Sequence, residues 1–333
     1  MSVYLENIQI KKLFDEKNIN WKLNDVSVLV GKNGAGKSTI LRSVYELLTD
    51  SEQEHLNLST ECTLKFSGNS SIKFKKNKLD FSKKEIASIF DLIVKQTEKE
   101  LQKNARNKRN KATIESKETS NQIISLYKKM RSNPDGIQAM FFTDITKENE
   151  KRISDISIEM ISTINMNANS INELTKSNGN TTTLLDIELN SEIEKLKLKK
   201  NDSIMIQKIN TFINELNDFF EECNKIAEFK TDKILIKHKE TGKNINIRNL
   251  SSGERQLLFI LIKALNNSCE RNILLMDEPE ISLHMSWQKK LISSIKKINE
   301  KCQLIIVTHS ASILAKGWID SFVDIKNIES KAD

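Results

Sequence analysis

Three features of the amino-acid sequence predict an α/β fold, a mixed or parallel sheet with flanking helices, carrying an inserted long-helix, coiled-coil-like arm. Near the start, the apolar run Val26–Val30 passes through a glycine-rich loop into the helical pattern Ile40, Leu41, Val44, Leu47, Leu48. From residue 230 onward, apolar runs of strand length alternate with helical ones. Between them, roughly 82–228, the chain is polar, helical in period and almost free of glycine. The expected division is therefore an N-terminal lobe over 1–80, a helical insertion over 81–229 and a C-terminal lobe over 230–333.

Each element has its own signal. The opening MSVYLENIQIKKLF reads as an alternating strand over Val3–Ile10, not as an apolar leader, and Thr63–Phe66 and Ser71–Phe74 read as further strands. The middle region divides into three helical stretches. Ser82–Met130 opens with Ile86, Ile89, Phe90 and Ile93 at helical spacing, then carries the basic run Lys103, Arg106, Lys108, Arg109, Lys111. The breaker Ser132-Asn133-Pro134-Asp135-Gly136 ends it, and Met140–Thr143 reads as a short core strand. A helix is expected over Lys147–Lys176, and a last one reaching Ile226 with Ile206, Ile209, Phe212, Ile213, Leu216, Phe219 and Phe220 on its apolar side. A helix of about 45 residues extends about 70 Å. Such segments suit either a protruding antiparallel arm or a folded-back bundle.

Composition excludes several classes. Hydrophobic residues at 38% suffice for a core, but no run of about eighteen apolar residues suits a membrane span. Cys62, Cys223, Cys269 and Cys302 stand singly, which argues for a reducing cytoplasm and against a disulfide framework or structural zinc. The net charge of +7 admits two readings, a nucleic-acid partner or the Lys, Asn and Ile bias of an AT-rich genome. The basic run likewise reads as a solvated helix face or as a contact for phosphate backbones.

Four constellations carry chemistry. Gly31-Lys32-Asn33-Gly34-Ala35-Gly36-Lys37-Ser38-Thr39 fits GxxxxGK[ST] between a strand and a helix. There, backbone N–H groups of Asn33 to Thr39 can curl around phosphate oxygens, Lys37 can reach the β and γ phosphates, and Ser38 can complete a Mg²⁺ shell. The buried run Ile273–Met276 ends in Asp277 and Glu278, one carboxylate suited to the magnesium and one to the attacking water. Leu250-Ser251-Ser252-Gly253-Glu254 precedes an apolar helix. Ser251 and Glu254 form a capping box, but that does not explain its place 24 residues before Asp277. Finally, Leu304–Thr308 delivers His309 at a strand's carboxyl end.

Taken together, these motifs resemble the ABC-type P-loop ATPases of the SMC, RecF and OLD branch over roughly 1–80 and 230–325. The 240 residues between Lys37 and Asp277 match that branch in kind, with an arm between the ATPase halves. The resemblance implies ATP and Mg²⁺ as ligands, hydrolysis, and Ser251, Gly253 and Glu254 as the signature that meets the γ-phosphate on an opposite subunit. It also implies a switch role for His309 and a seam position for Glu280–His284. Departures are Ser252 and Glu254 in place of the usual glycine and glutamine, and His284 where transporters carry Asp. The Q-loop is represented only by the candidates Gln138 and Asp144. Asp277–Gln288 (DEPEISLHMSWQ), THSASIL at 308–314 and Gly317-Trp318 look closer still to stand-alone antiphage-defence ATPases of the Septu and PARIS types. That likeness implies a homodimer or multimer of dimers in the cytoplasm, holding a separate nuclease or toxin effector and no membrane partner. Rival readings are a DNA-binding genome-maintenance ATPase and a transporter subunit. The absence of CxxC, hence of a zinc hook, weighs against the first, and the inserted arm against the second.

Overall fold

The computed structural model describes residues 4–78, 141–149, 153, 156–162, 174–175, 181–198, 203–230, 233–267, 272–314 and 317–332. The chain forms two compact units, 1–74 with 145–333, and 75–144. The helix expected over Ser82–Met130, its basic run, the turn at 132–136, Gln138 and Cys269 lie outside the described residues.

The centre of the first unit is a five-stranded sheet in the order β15 (Phe322–Asp324), β3 (Val26–Val30), β14 (Cys302–Thr308), β13 (Asn272–Asp277), β7 (Ser157–Ile161). All four pairings are parallel. Parallel strands must be covered on both faces, which explains why β13 and β14 are apolar runs buried at every position. Their side chains alternate between two cores. Leu274, Met276, Leu304 and Ile306 face one, and Ile273, Leu275, Ile305 and Val307 face the other.

The second of these cores is closed by helix α1 (Lys37–Thr49) and by an antiparallel sheet. That sheet runs β16 (Glu329–Lys331), β2 (Lys17–Lys22), β1 (Leu5–Leu13), β4 (Glu61–Phe66), β5 (Ser70–Lys78), β6 (Phe141–Glu148). Gln303 ties the two sheets, its side chain accepting from Leu5 N at 2.9 Å and donating to Leu5 O at 2.8 Å.

The first core is closed by four helices, α2 (Leu184–Leu198), α3 (Ser203–Phe220), α4 (Ser252–Asn266) and α5 (Met285–Ile298). Apart from Arg255, α4 is buried from Gly253 to Asn266, as expected of a helix that is apolar nearly all round. A small sheet, β10 (Lys225–Lys230), β11 (Lys233–His238), β12 (Asn244–Ile245), and the two-residue pair β8 (Leu174–Thr175) and β9 (Thr181–Thr182) complete the described strands. Among the described residues no helix is long and apolar enough to cross a membrane.

Three expectations need correction. Where a helix is expected over Lys147–Lys176, β7 pairs with β13 as the edge strand of the parallel sheet; Ile158 and Met160 alternate with Ser157 and Glu159, a short period-two pattern hidden in a polar stretch. The last helix stops at Phe220, because Asn224 turns left-handed (φ 54°) and Ile226 belongs to strand β10. Its apolar face packs into the core with Phe219 edge-on to Trp287, while Ile206 points outward at 50% exposure. Thus α2 and α3, expected within the insertion, lie in the first unit and pack on α4. The strand expected at Met140–Thr143 falls on β6, where Thr143, Asp144 and Thr146 are exposed and Ile145 packs half-buried against the second core.

Candidate active site

Three neighbouring parallel strands each deliver a functional residue just past their carboxyl ends, where open α/β sheets bind ligands. β3 leads into the loop 31–36, β14 into His309, and β13 ends on Asp277 and Glu278. The register sets Thr308 beside Val30 and Val307 beside Asp277, so all three ends lie level.

The loop enters α1 through Gly36 at φ 91°, a left-handed conformation that glycine adopts without penalty. A Cβ there would also lie 2.9 Å from the Phe14 ring. No side chain caps α1, so its first-turn N–H groups remain available to an anion. Lys37, almost buried, donates to the carbonyls of Gly31 at 3.0 Å and Lys32 at 3.1 Å. Burial draws its ammonium pKa below the ordinary value, and the carboxylates of Glu278, Asp277 and Glu280 only partly restore it. A cation held in this way gains from an incoming anion.

Ser38 Oγ donates to Asp277 Oδ1 at 2.8 Å, and Asp277 is buried. A hydroxyl and a carboxylate converging at the P-loop form an oxygen donor set of the kind a hard divalent cation takes. The His309 Nε2 atom lies 2.9 Å from Lys37 Nζ and 3.1 Å from Glu278 Oε1. One nitrogen cannot serve both as a hydrogen-bond acceptor and as a donor. A bare Nε2 accepts from Lys37, whereas a protonated Nε2 donates to Glu278. Glu278 itself has a left-handed backbone (φ 50°), fixed by its N–H bond to Val307 O at 2.8 Å.

Phe14, Asn33, Gly34, Gly36, Lys37, Ser38, Thr39, Glu278 and His309 line a cleft of about 310 Å³. Two larger clefts, about 450 Å³ each, lie elsewhere and lack a phosphate loop; chemistry, not size, identifies the site. Ala35 is not in the lining. Its carbonyl accepts from Lys17 Nζ at 2.7 Å, which braces the loop against β2.

Ser251, Gly253 and Glu254 do not line this cleft. Ser251 and Glu254 form the expected capping box of α4, and Glu254 is also paired with Lys225. His284 caps α5, accepting from Ser286 N at 3.4 Å, the task an Asp could perform at that position. The Q-loop candidate Asp144 lies exposed on β6.

The family resemblance places Glu280 at a seam and Gln288 within DEPEISLHMSWQ, but foretells neither their contacts nor those of Gln256. Glu280 accepts from the turn that carries His309, and Gln288 bridges Ser310 to the Leu283 carbonyl. Gln256, on α4, donates to Pro279 O at 2.9 Å. The available signal was an acidic residue directly after Asp-Glu-Pro, in a turn where a third carboxylate has no role in binding nucleotide.

The family model described as "AAA domain, putative AbiEii toxin, Type IV TA system" matches residues 26–315. Among curated proteins, the chain is 25% identical over 145 residues to the "Retron Vc95 probable ATPase" of Vibrio cholerae serotype O1 biovar El Tor, covering 38% of this chain and 28% of that protein. It is 28% identical over 122 residues to "Septu protein PtuA" of Bacillus thuringiensis, covering 33% and 31% respectively. The matches span under a third of either relative's length. Among solved structures, an SMC head bound to the C-winged helix domain of ScpA has TM-score 0.48 at 10% identity, covering 99% of this chain and 97% of that one. The SMC head domain from Thermotoga maritima has TM-score 0.43 at 14% identity, covering 93% and 90%. Likeness of this grade says nothing about activity.

Proposed function

Since the chain belongs to this AAA-domain family, whose model covers most of its length, we propose that it binds and hydrolyses ATP in sites completed by a second copy, and that this cycle regulates a separate antiphage effector. The observation that carries the hydrolytic reading is the gathering of Lys37, Ser38, Asp277, Glu278 and His309 at three adjacent strand ends. Lys37 exchanges the carbonyls of Gly31 and Lys32 for phosphate oxygens, and the first-turn amides of α1 receive the same phosphates. Ser38 and Asp277 hold Mg²⁺, which when bound offsets phosphate charge. Glu278 accepts a hydrogen bond from water and aligns its oxygen with the γ-phosphorus. The new P–O bond forms as the bridging bond to ADP breaks, and the water's proton passes through Glu278 to solvent. His309 Nε2–H donates to the transferred phosphoryl group.

Ser251, Gly253 and Glu254 are not among the residues lining their own cleft, which suits closure of a second copy's site. Glu278→Gln keeps the side chain's shape but loses the base. It is expected to accumulate an ATP-bound dimer in light-scattering chromatography, whereas Lys37→Ala binds nucleotide poorly. Wild-type turnover by Glu278→Gln would refute the catalytic assignment.

The regulatory reading is supported by the two curated relatives, a retron probable ATPase and a Septu protein. It is tested by challenging cells with phage, with and without the genes adjacent to this one. Protection that needs both this chain and a neighbouring nuclease or toxin gene is expected. Protection by this chain alone, or hydrolysis stimulated by DNA and lost with salt, would replace it with the DNA-binding reading.

A further inference from the structure

Behind the histidine lies a polar clamp. Glu280, only 8% exposed, receives three donors on one oxygen. Its Oε1 accepts from the Thr308 hydroxyl, from His309 N at 3.1 Å and from Ser310 N at 3.2 Å. These are consecutive residues of the turn that leaves β14 carrying His309. A second tie runs parallel. Gln288 on α5 accepts from Ser310 Oγ at 2.7 Å and donates to Leu283 O at 2.9 Å and to Glu280 O at 3.4 Å. Glu280 is not among the residues that line the nucleotide cleft, and its Oε1 is turned to the Thr308–Ser310 backbone instead.

A short turn at a strand end is ordinarily the most mobile part of a sheet. Here its amides are consumed by a buried carboxylate that approaches from the loop following Glu278. The loop that orients the base and the turn that carries the histidine are thereby joined. The His309 ring is held with Nε2 between Lys37 and Glu278, within hydrogen-bond reach of each. We infer that Glu280 is a positioning residue for His309, setting the backbone of Thr308–Ser310 so that the imidazole meets the γ-phosphate with its proton correctly aimed. The inference rests on the hydrolytic reading above and deepens it.

The test joins kinetics to amide exchange on the full-length chain. Glu280→Ala is expected to leave ATP affinity within about threefold while kcat falls by about tenfold to a hundredfold, as for a catalytic group displaced by an ångström. Adding Glu280→Ala to His309→Ala is expected to cost less than about twofold more, because Glu280 acts only through His309. Glu280→Gln keeps an acceptor oxygen in place and is expected to recover at least about half of the lost rate. In the nucleotide-free protein, hydrogen–deuterium exchange at His309 and Ser310 is expected to rise by about tenfold or more in Glu280→Ala, with β3 and β13 unchanged.

Additive losses from Glu280→Ala and His309→Ala, or an unchanged kcat, overturn the positioning role. Unchanged exchange at the two amides overturns the clamp itself, and that measurement does not depend on turnover. A wild-type chain that splits no ATP overturns the reading of the site, and the positioning role with it. Should Glu280→Ala fail to fold, Thr308→Val removes one donor to the same oxygen and is expected to show a smaller effect of the same sign in both measurements. No change in either would be equally damaging.

Discussion

Replacing Gly253 with alanine would set a methyl carbon 2.5 Å from the carbonyl oxygen of Ser282. Close carbon–oxygen contacts in proteins lie at about 3.3–3.6 Å, so a gap of about 1 Å must open. The loop cannot yield locally. Leu283 N is bonded to Glu280 O at 2.9 Å, Gln256 holds Pro279 O at 2.9 Å, and Ser282 already sits at φ 68°. Overpacking of this kind costs about 1–3 kcal/mol. The gain from removing glycine from a helix is at most about 0.5–1 kcal/mol, and less in a first turn. The net loss is then about 1–2 kcal/mol, or a melting temperature lower by about 1–3 °C for a chain of this length. Differential scanning fluorimetry of the nucleotide-free protein reads this directly. The measurement separates two reasons for a glycine here, room for a phosphate from another copy and room for the chain's own carbonyl. If Gly253→Ala melts like the wild type, the intrachain packing argument is wrong.

Other perturbations test the frame that holds the site. Arg255→Met leaves the largely buried Asp186 without the guanidinium 2.8 Å away, and is expected to cost about 2–3 kcal/mol in urea unfolding; adding Asp186→Asn should recover part of it, with coupling above about 1 kcal/mol. Burial pushes the Glu254 carboxyl up, but Lys225 and the Ser251 N–H outweigh it and hold the pKa below the ordinary 4.5. Its contribution is therefore present above pH 4.5 and lost as pH falls through the lower folded value. Lys225→Met is expected to move acid unfolding, followed by circular dichroism, to higher pH. Burial pushes the thiols of Cys62 and Cys302 up to about 12. Both are expected to resist thiol labelling until the protein unfolds, checked by peptide mass spectrometry.

Much of the site could be read because its signals are local. A strand, a glycine loop and a helix occupy one short stretch, and the placements of Asp277, Glu278 and His309 follow from apolar runs long enough to be buried strands. The capping box at Ser251 and Glu254 was equally legible, since both partners lie within one helical turn. The helical middle was not. Its polar composition hid β7, whose period-two pattern spans only five residues, and α3 carries an amphipathic face that would suit an arm or a core equally well.

By itself, the order of residues determined where phosphate-seeking amides, a lysine and two carboxylates would stand along the chain. Hydrogen-bonding capacity and hydrophobic period are properties of neighbours. Only the tertiary structure decided that β7 joins β13, that α3 buries Phe212, Phe219 and Phe220 against the head, and that Glu280 reaches the amides of His309 and Ser310. Those outcomes depend on contacts between segments tens of residues apart. There, burial of apolar area and satisfaction of buried polar groups outweigh local preference.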